Sequence, residues 1–184
     1  MKKILNKYFT VSLEKESNDT TKLIEKIKEE RWVDSSTIIV NCSPDYSSRL
    51  CQEINHKLSY LNSNELYEQI SLEMPYPTTN QIYDPYSHGY QLFDRYLGQW
   101  ITNNIINNCK YLFINSSTLR GKNFNKVRLS VRQHLEPDNY RFASLYVQSS
   151  SIFQPHYYVE EFDKEKQGGL LFHWENIDNP NWDY

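Results

Sequence analysis

From Lys110 to Arg128 the chain reads Lys-Tyr-Leu-Phe-Ile-Asn-Ser-Ser-Thr-Leu-Arg-Gly-Lys-Asn-Phe-Asn-Lys-Val-Arg, and no other stretch constrains the fold as much. Tyr111 to Ile114 is an apolar run, the pattern of a strand buried on both faces. A polar loop with a single glycine follows. Beyond it Phe124, Val127 and Val131 recur at helical spacing, which predicts an amphipathic helix. Strand, Gly-bearing loop and helix start in succession make a cradle for an anion, because the first N–H groups of a helix have no partner inside it. Arg120, Lys122, Lys126, Arg128 and Arg132 put five cations into thirteen residues with no acid among them. Ser116, Ser117 and Thr118 add hydroxyl groups beside the helix start. A charge run of this kind is also what a solvated helix face looks like, so spacing alone leaves both readings open.

The remaining chain predicts an α/β domain. Asp19 is a capping residue ahead of Leu23, Ile24 and Ile27, which predicts a first helix. Ser36 to Asn41 is β-branched and predicts a buried strand. Asp45 or Ser47 then caps a second helix with Leu50, Ile54 and Leu58 on its apolar face. Glu68 to Met74 is a further candidate strand, and Pro75 and Pro77 mark a loop. Ser87 to Ile106 predicts a long helix with Tyr90, Phe93, Leu97, Trp100, Ile101 and Ile105 on one side. Strands are expected at Arg141 to Gln148, Tyr157 to Phe162 and Gly169 to Trp174, followed by an extended tail over 175–184. Alternating helices and strands place the whole 184 residues in one domain with a mostly parallel central sheet flanked by helices, strands 37–41 and 111–115 adjacent in its middle.

Composition narrows the function classes. A formal net charge of -3 gives no global attraction to nucleic acid or membrane, and no apolar run approaches the roughly 20 residues of a membrane span. The start, Met1 to Lys7, is too broken by charge for a signal peptide. Cys42, Cys51 and Cys109 have no metal-ligand spacing and leave one thiol over if two pair, so a reduced, cytoplasmic setting is expected. Fifteen tyrosines with many Asn, Lys and Ile residues suggest an AT-rich coding sequence of a phage or low-GC bacterium, in which case the setting is the host cytoplasm. His56, His88, His134, His156 and His173 show no metal-like spacing; His156 and His173 are placed to meet on adjacent strands or to be separate structural side chains. Cys42 in the first loop is either a nucleophile or a small buried residue, and packing is the commoner fate.

The stretch 110–128 resembles, position by position, the ribose-phosphate-binding motif of type I phosphoribosyltransferases. In that family the strand ends in two acidic residues and a short Thr-Gly loop opens the helix. Here Asn115 and Ser116 stand in place of the acids, and Arg120-Gly121-Lys122-Asn123 in place of the phosphate loop. Residues 141–162 resemble the xanthine/guanine-type branch, where a strand ends in a lysine followed by a Ser/Pro-rich turn and a Pro-Asp-Tyr-Val-like segment; Pro155-His156-Tyr157-Tyr158-Val159 matches that segment loosely, and Gln148 replaces the lysine. Leu170 to Glu175 resembles the closing strand, with His173 for its proline and Trp174 and Glu175 kept. Gly169 stands where relatives often place an aromatic beneath the base. The loop Asn41 to Ser48 has no glycine, and brings Pro44 and Asp45 to where pyrophosphate would sit.

The resemblance implies a phosphoribosyltransferase-like fold over roughly residues 36–176 and a small phosphate-bearing ligand, a nucleotide or ribose-phosphate. It implies that Ser117, Thr118, Arg120, Gly121, Lys122 and Asn123 hold the phosphate, Asn115 and Ser116 meet the ribose, and Gln148 and Trp174 frame the base. It assigns no catalytic side chain and no metal ligand. Magnesium enters only if the protein is active as a glycosyltransferase, and Mg²⁺ favours carboxylate oxygens that Asn115 and Ser116 do not supply. Purine transfer is therefore expected to be weak. The alternative is a catalytically inactive regulatory, interaction or structural protein on the same fold, meeting a protein partner through helix 88–106 or tail 175–184.

Overall fold

The computed structural model describes residues 8–34, 36–42, 44–59, 71–73, 89–106 and 108–173. The chain runs β1 (Tyr8–Val11), α1 (Leu13–Glu29), β2 (Thr37–Asn41), α2 (Pro44–Ser59), β3 (Ser71–Glu73), α3 (Gly89–Asn104), β4 (Lys110–Thr118), α4 (Lys122–Val131), a 3₁₀ turn (Pro137–Asn139), β5 (Tyr140–Gln148), β6 (Tyr157–Phe162), α5 (Lys164–Gln167) and β7 (Gly169–Phe172). Five strands form one parallel sheet in the order β3-β2-β4-β5-β6, and β1 pairs β7 in a separate parallel sheet. The two expected central strands are neighbours, from Thr37 opposite Lys110 to Asn41 opposite Ile114.

Pleating sends alternate residues of these strands into two cores. Ile39, Leu112, Ile114, Ala143 and Leu145 pack with Leu23, Ile24 and Ile27 of α1 and Leu50, Ile54 and Leu58 of α2. Ile38, Val40, Tyr111, Phe113 and Phe142 pack with Leu97 and Ile101 of α3 and with Phe124, Val127 and Val131 of α4. Both faces are thus covered, which is why β2 reads as a continuous apolar run. Leu97 and Ile101, read from the sequence as part of an aromatic face, belong to this core; the side chains of Tyr90 and Phe93 lie outside the described residues.

Several boundaries differ from the sequence reading. Helix α1 starts at Leu13, not beside Asp19, because the Ser12 hydroxyl accepts the Lys15 amide at 3.1 Å and caps it. Asp19 instead sits mid-helix and 1% exposed, receiving Lys15 Nζ at 2.9 Å, Lys22 Nζ at 2.9 Å and the Tyr146 hydroxyl at 2.8 Å. Strand β1 was not anticipated. Pro44 is the first residue of α2, where a missing N–H leaves no helical bond unmade. Strand β4 does not end near Asn115 but continues to Thr118, with Ser117 opposite Tyr146 and Thr118 opposite Val147. Of the candidate strand Glu68 to Met74, residues Ser71 to Glu73 are described and pair with β2. The tail 175–184 lies outside the described residues.

Helix α1 runs antiparallel to β6. Its early residue Lys15 meets Glu160 at 2.7 Å, and its later residues Lys26 and Glu30 meet the Tyr158 carbonyl at 2.7 Å and the Tyr157 hydroxyl at 3.0 Å. The small sheet leans on the carboxyl halves of β5 and β6, with the Phe9 ring 5.7 Å from Tyr146 and 6.0 Å from Phe162.

Candidate functional site

Strand order locates a candidate ligand edge before any side chain is considered. From β2 the chain moves outward to β3, and from β4 it moves the other way to β5. A parallel sheet opens a crevice where its winding reverses, at the carboxyl ends of the strands. Here that is the space beyond Asn41 and beyond Asn115 to Thr118. Asn41 is 2% exposed, and the Cys42 amide still bonds the Ile114 carbonyl at 2.9 Å, so the sheet stays zipped up to the crevice floor.

The β4–α4 connection is short: Leu119, Arg120 and Gly121. Gly121 precedes the helix with φ of +72°, a left-handed conformation that an L side chain adopts only under strain. A Cβ there would lie 2.4 Å from Ser151 Oγ and 2.7 Å from the Phe153 amide nitrogen. Glycine is thus required by the backbone and by a neighbouring turn together. It has no side chain to cap the helix, and the first amide inside the helix with a helical acceptor is Asn125, bonded to Gly121 O at 3.0 Å. Arg120, Lys122 and Asn123 are exposed around this start. No described carboxylate lies within ion-pair distance of Arg120, Lys122 or Arg132. Arg128 bonds Asn125 Oδ1 at 2.8 Å and covers the Phe153 ring at 5.5 Å.

The hydroxyl residues divide. Ser116 is 2% exposed and Thr118 4%, and the Thr118 hydroxyl shares a 2.6 Å hydrogen bond with Ser144, itself fully buried. Ser117 and Asn115 are half-buried along the same strand. Thr118 is therefore turned inward to join β4 to β5, while Arg120, Lys122 and Asn123 are exposed around the loop and the start of the helix. Gln148 ends β5 and donates its amide to Ser150 Oγ at 2.6 Å. Trp174 lies outside the described residues.

The segment Ser149 to Ser151 has a role that no local pattern announces. β5 and β6 are parallel neighbours joined without a helix, so the connecting segment 149–156 must run back across the sheet. It does so by burying Phe153 against Phe124 and Phe142 at ring distances of 5.7 and 4.9 Å. On the way the Ile152 amide bonds the Arg120 carbonyl at 3.2 Å, and Ser151 Oγ donates to the Phe153 carbonyl at 2.8 Å.

Other candidate groups sit elsewhere. Cys42 is buried, and burial pushes its thiol well above the ordinary range, which suits packing and not nucleophilic attack. His156 and His173 flank strands of different sheets. His156 is an exposed residue, yet its Nδ1 accepts the Phe142 amide at 3.1 Å, and partial desolvation of the ring, aided by Arg141, lowers the imidazole to about 4. His173 Nδ1 lies 3.4 Å from the buried carboxylate of Glu16. Among the described residues no cluster of His, Cys, Asp and Glu is arranged to hold a metal. No helix among them is long and apolar enough to cross a membrane. A depression of about 260 Å³ between Lys26, Glu29, Glu30, His156, Tyr157 and Tyr158 opens at the amino end of β6, away from the ligand edge.

A parallel sheet covered on both faces, with a small accessory sheet beside it, matches the type I phosphoribosyltransferase fold. The structure resembles the Helicobacter pylori xanthine-guanine-hypoxanthine phosphoribosyltransferase with a TM-score of 0.58 and 15% identity, over 94% of this chain and 95% of that one. It resembles the purine phosphoribosyltransferase of Pyrococcus horikoshii with a TM-score of 0.57 and 14% identity, over 92% and 96%. At such identity the likeness establishes the fold alone. No protein-family model and no curated protein matches the sequence.

Proposed function

We propose that this protein binds the phosphate of a nucleotide or ribose-phosphate at the start of α4, on a phosphoribosyltransferase-like scaffold whose purine transfer has faded. The observation that carries this reading is the start of α4, which Gly121 leaves without a side-chain cap. It stands at the winding reversal of the sheet, with Arg120 and Lys122 beside it. The helix dipole favours an anion there, and the two cations add charge-assisted hydrogen bonds. Thr118 is withdrawn from the phosphate by its bond to Ser144. Arg120, Lys122 and Asn123 are the residues this reading brings to the anion, with Ser117 beside them.

Asn115 and Ser116 lack the carboxylate oxygens that would neutralise a divalent ion. A neutral side chain in place of a carboxylate forgoes a charge-assisted hydrogen bond, which is worth roughly 1.5–3 kcal/mol. Binding without efficient turnover follows, which joins the reading to a regulatory or interaction role. Thermal unfolding with phosphoribosyl diphosphate, inosine 5'-monophosphate and hypoxanthine, each with and without magnesium, tests it. A ligand at 100 times its dissociation constant adds about 2.7 kcal/mol of stability. The expected pattern is stabilisation by the phosphate-bearing compounds that does not require magnesium. Absence of any phosphate-dependent shift would reject the site, and robust pyrophosphate release from purine and phosphoribosyl diphosphate would return the protein to the active enzymes.

A further inference from the structure

We infer that Ser151 is a positioning residue for the anion loop, and that the turn Gln148 to Phe153 fixes the spacing between the anion end and the Gln148 end of the site. The inference rests on the phosphate-binding reading above. Three interactions carry it. The Ile152 amide holds the Arg120 carbonyl at 3.2 Å, so the backbone ahead of the helix start is tied to the turn. Gly121 is packed so closely on Ser151 Oγ and the Phe153 amide that a methyl group would meet them at 2.4 and 2.7 Å. Ser151 Oγ both donates to the Phe153 carbonyl at 2.8 Å and faces the Phe153 amide at 3.3 Å, which shapes the turn that Gly121 rests against.

The far end of the same turn holds Gln148. The Ser151 amide bonds the Gln148 carbonyl at 2.8 Å, and Gln148 Nε2 bonds Ser150 Oγ at 2.6 Å. The anion loop and the β5 terminus are therefore two ends of one hydrogen-bonded piece. That piece is anchored by Phe153 in the core and stiffened by Arg128 over its ring. Ile152 is 67% exposed, so its backbone and not its side chain carries the link. A site pre-shaped in this way suits a ligand whose phosphate and ring system are held a fixed distance apart, a nucleoside 5'-monophosphate. It gains little from phosphate or base separately, since a rigid site engages both groups for one loss of ligand freedom.

The test compares Kd values for inorganic phosphate and for inosine 5'-monophosphate in the intact chain and in Ser151→Ala, Ser150→Ala and Gly121→Ala. Ser151→Ala removes the two Oγ contacts to Phe153 without adding bulk. It is expected to weaken inosine 5'-monophosphate about tenfold and phosphate by no more than about threefold, as one to two net hydrogen bonds of positioning would. Ser150→Ala should weaken the nucleotide and leave phosphate unchanged, while Gly121→Ala should weaken both. A role in stability alone would lower Tm and leave the ratio of the two Kd values where it was. An unchanged ratio in Ser151→Ala, with phosphate still bound, overturns the positioning role and spares the anion site. Failure of the intact chain to bind phosphate removes the anion site, and this inference with it.

Discussion

Two regions of this molecule concentrate charge, and they dispose of it in opposite ways. Around α1, the buried Asp19 receives Lys15, Lys22 and Tyr146, and Lys15 goes on to Glu160 and lies over the rings of Phe9 and Tyr146. Every charge in that network has a partner from the protein. Around α4, five cations follow one another from Arg120 to Arg132 with no acid in the segment. Elsewhere the chain carries 15 basic residues against 23 acidic ones, so the basic segment stands on an acidic protein. A charge satisfied within the fold contributes to stability and specificity of packing. Of these five, Arg120 and Lys122 meet no described carboxylate, so they cost the fold little to lose.

The contrast predicts which substitutions disturb the fold and which disturb binding. Asp19→Ala should lower stability by about 3 kcal/mol, because it removes the hydrogen bonds to a buried carboxylate and leaves the buried Tyr146 hydroxyl without its partner, while Lys15 and Lys22 return to solvent. For a chain of this length that is a fall in Tm of roughly 6–12 °C, measurable by calorimetry. If Asp19→Ala melts with the parent, the α1 network is not structural in the sense argued. Gly121→Ala comes next. It combines a strained positive φ with an approach of 2.4 Å and should destabilise by about 2 kcal/mol, read from urea midpoints. Removing Arg120 and Lys122 should leave stability within about 0.5 kcal/mol, as exposed substitutions do.

Acid sharpens the same comparison. Burial tends to raise the Asp19 carboxyl, but its donors Lys22, Lys15 and Tyr146 outweigh that and hold it below the ordinary carboxylate range. Its stabilisation is therefore present above the unfolded value near 3.8 and is lost as pH falls through the lower native value. Asp19→Asn should flatten the stability profile below pH 4. His156 adds an effect in a higher window, reduced by the exposure of the residue to solvent. The native imidazole is held down to about 4, so stability is full above the unfolded value of 6.5 and declines as pH drops between the two. An NMR titration that found His156 protonating at its ordinary value would remove this contribution.

How much of this was legible beforehand depended on range along the chain. β2 and β4 could be read because both-face burial writes a continuous apolar run, and α4 because Phe124, Val127 and Val131 repeat at 3.6-residue spacing. Strand β1 could not: Tyr8 to Val11 is four residues long and finds its partner at Gly169 to Phe172. The start of α1 was hidden because Leu13 to Asn18 has almost no apolar periodicity, and Asp19 resembled a cap when its partner Tyr146 was 127 residues away. In the site, the cations and the glycine of the loop were visible locally. The inward turn of Thr118 was not, since it depends on Ser144 across the sheet, and neither was the hold of Ser151 and Phe153 on Gly121. Local patterns reported the elements, and cross-strand register decided which polar groups still face the ligand edge.

The most direct test of the central claim is calorimetric titration of inorganic phosphate into the intact protein and into Arg120→Ala/Lys122→Ala, at low salt and with Tm recorded for both. The account predicts saturable phosphate binding in the intact protein and binding at least about tenfold weaker in the double variant, which lacks two charge-assisted hydrogen-bond donors. Tm in the absence of phosphate should be nearly equal for the two. Equal phosphate affinity in the two proteins would contradict it.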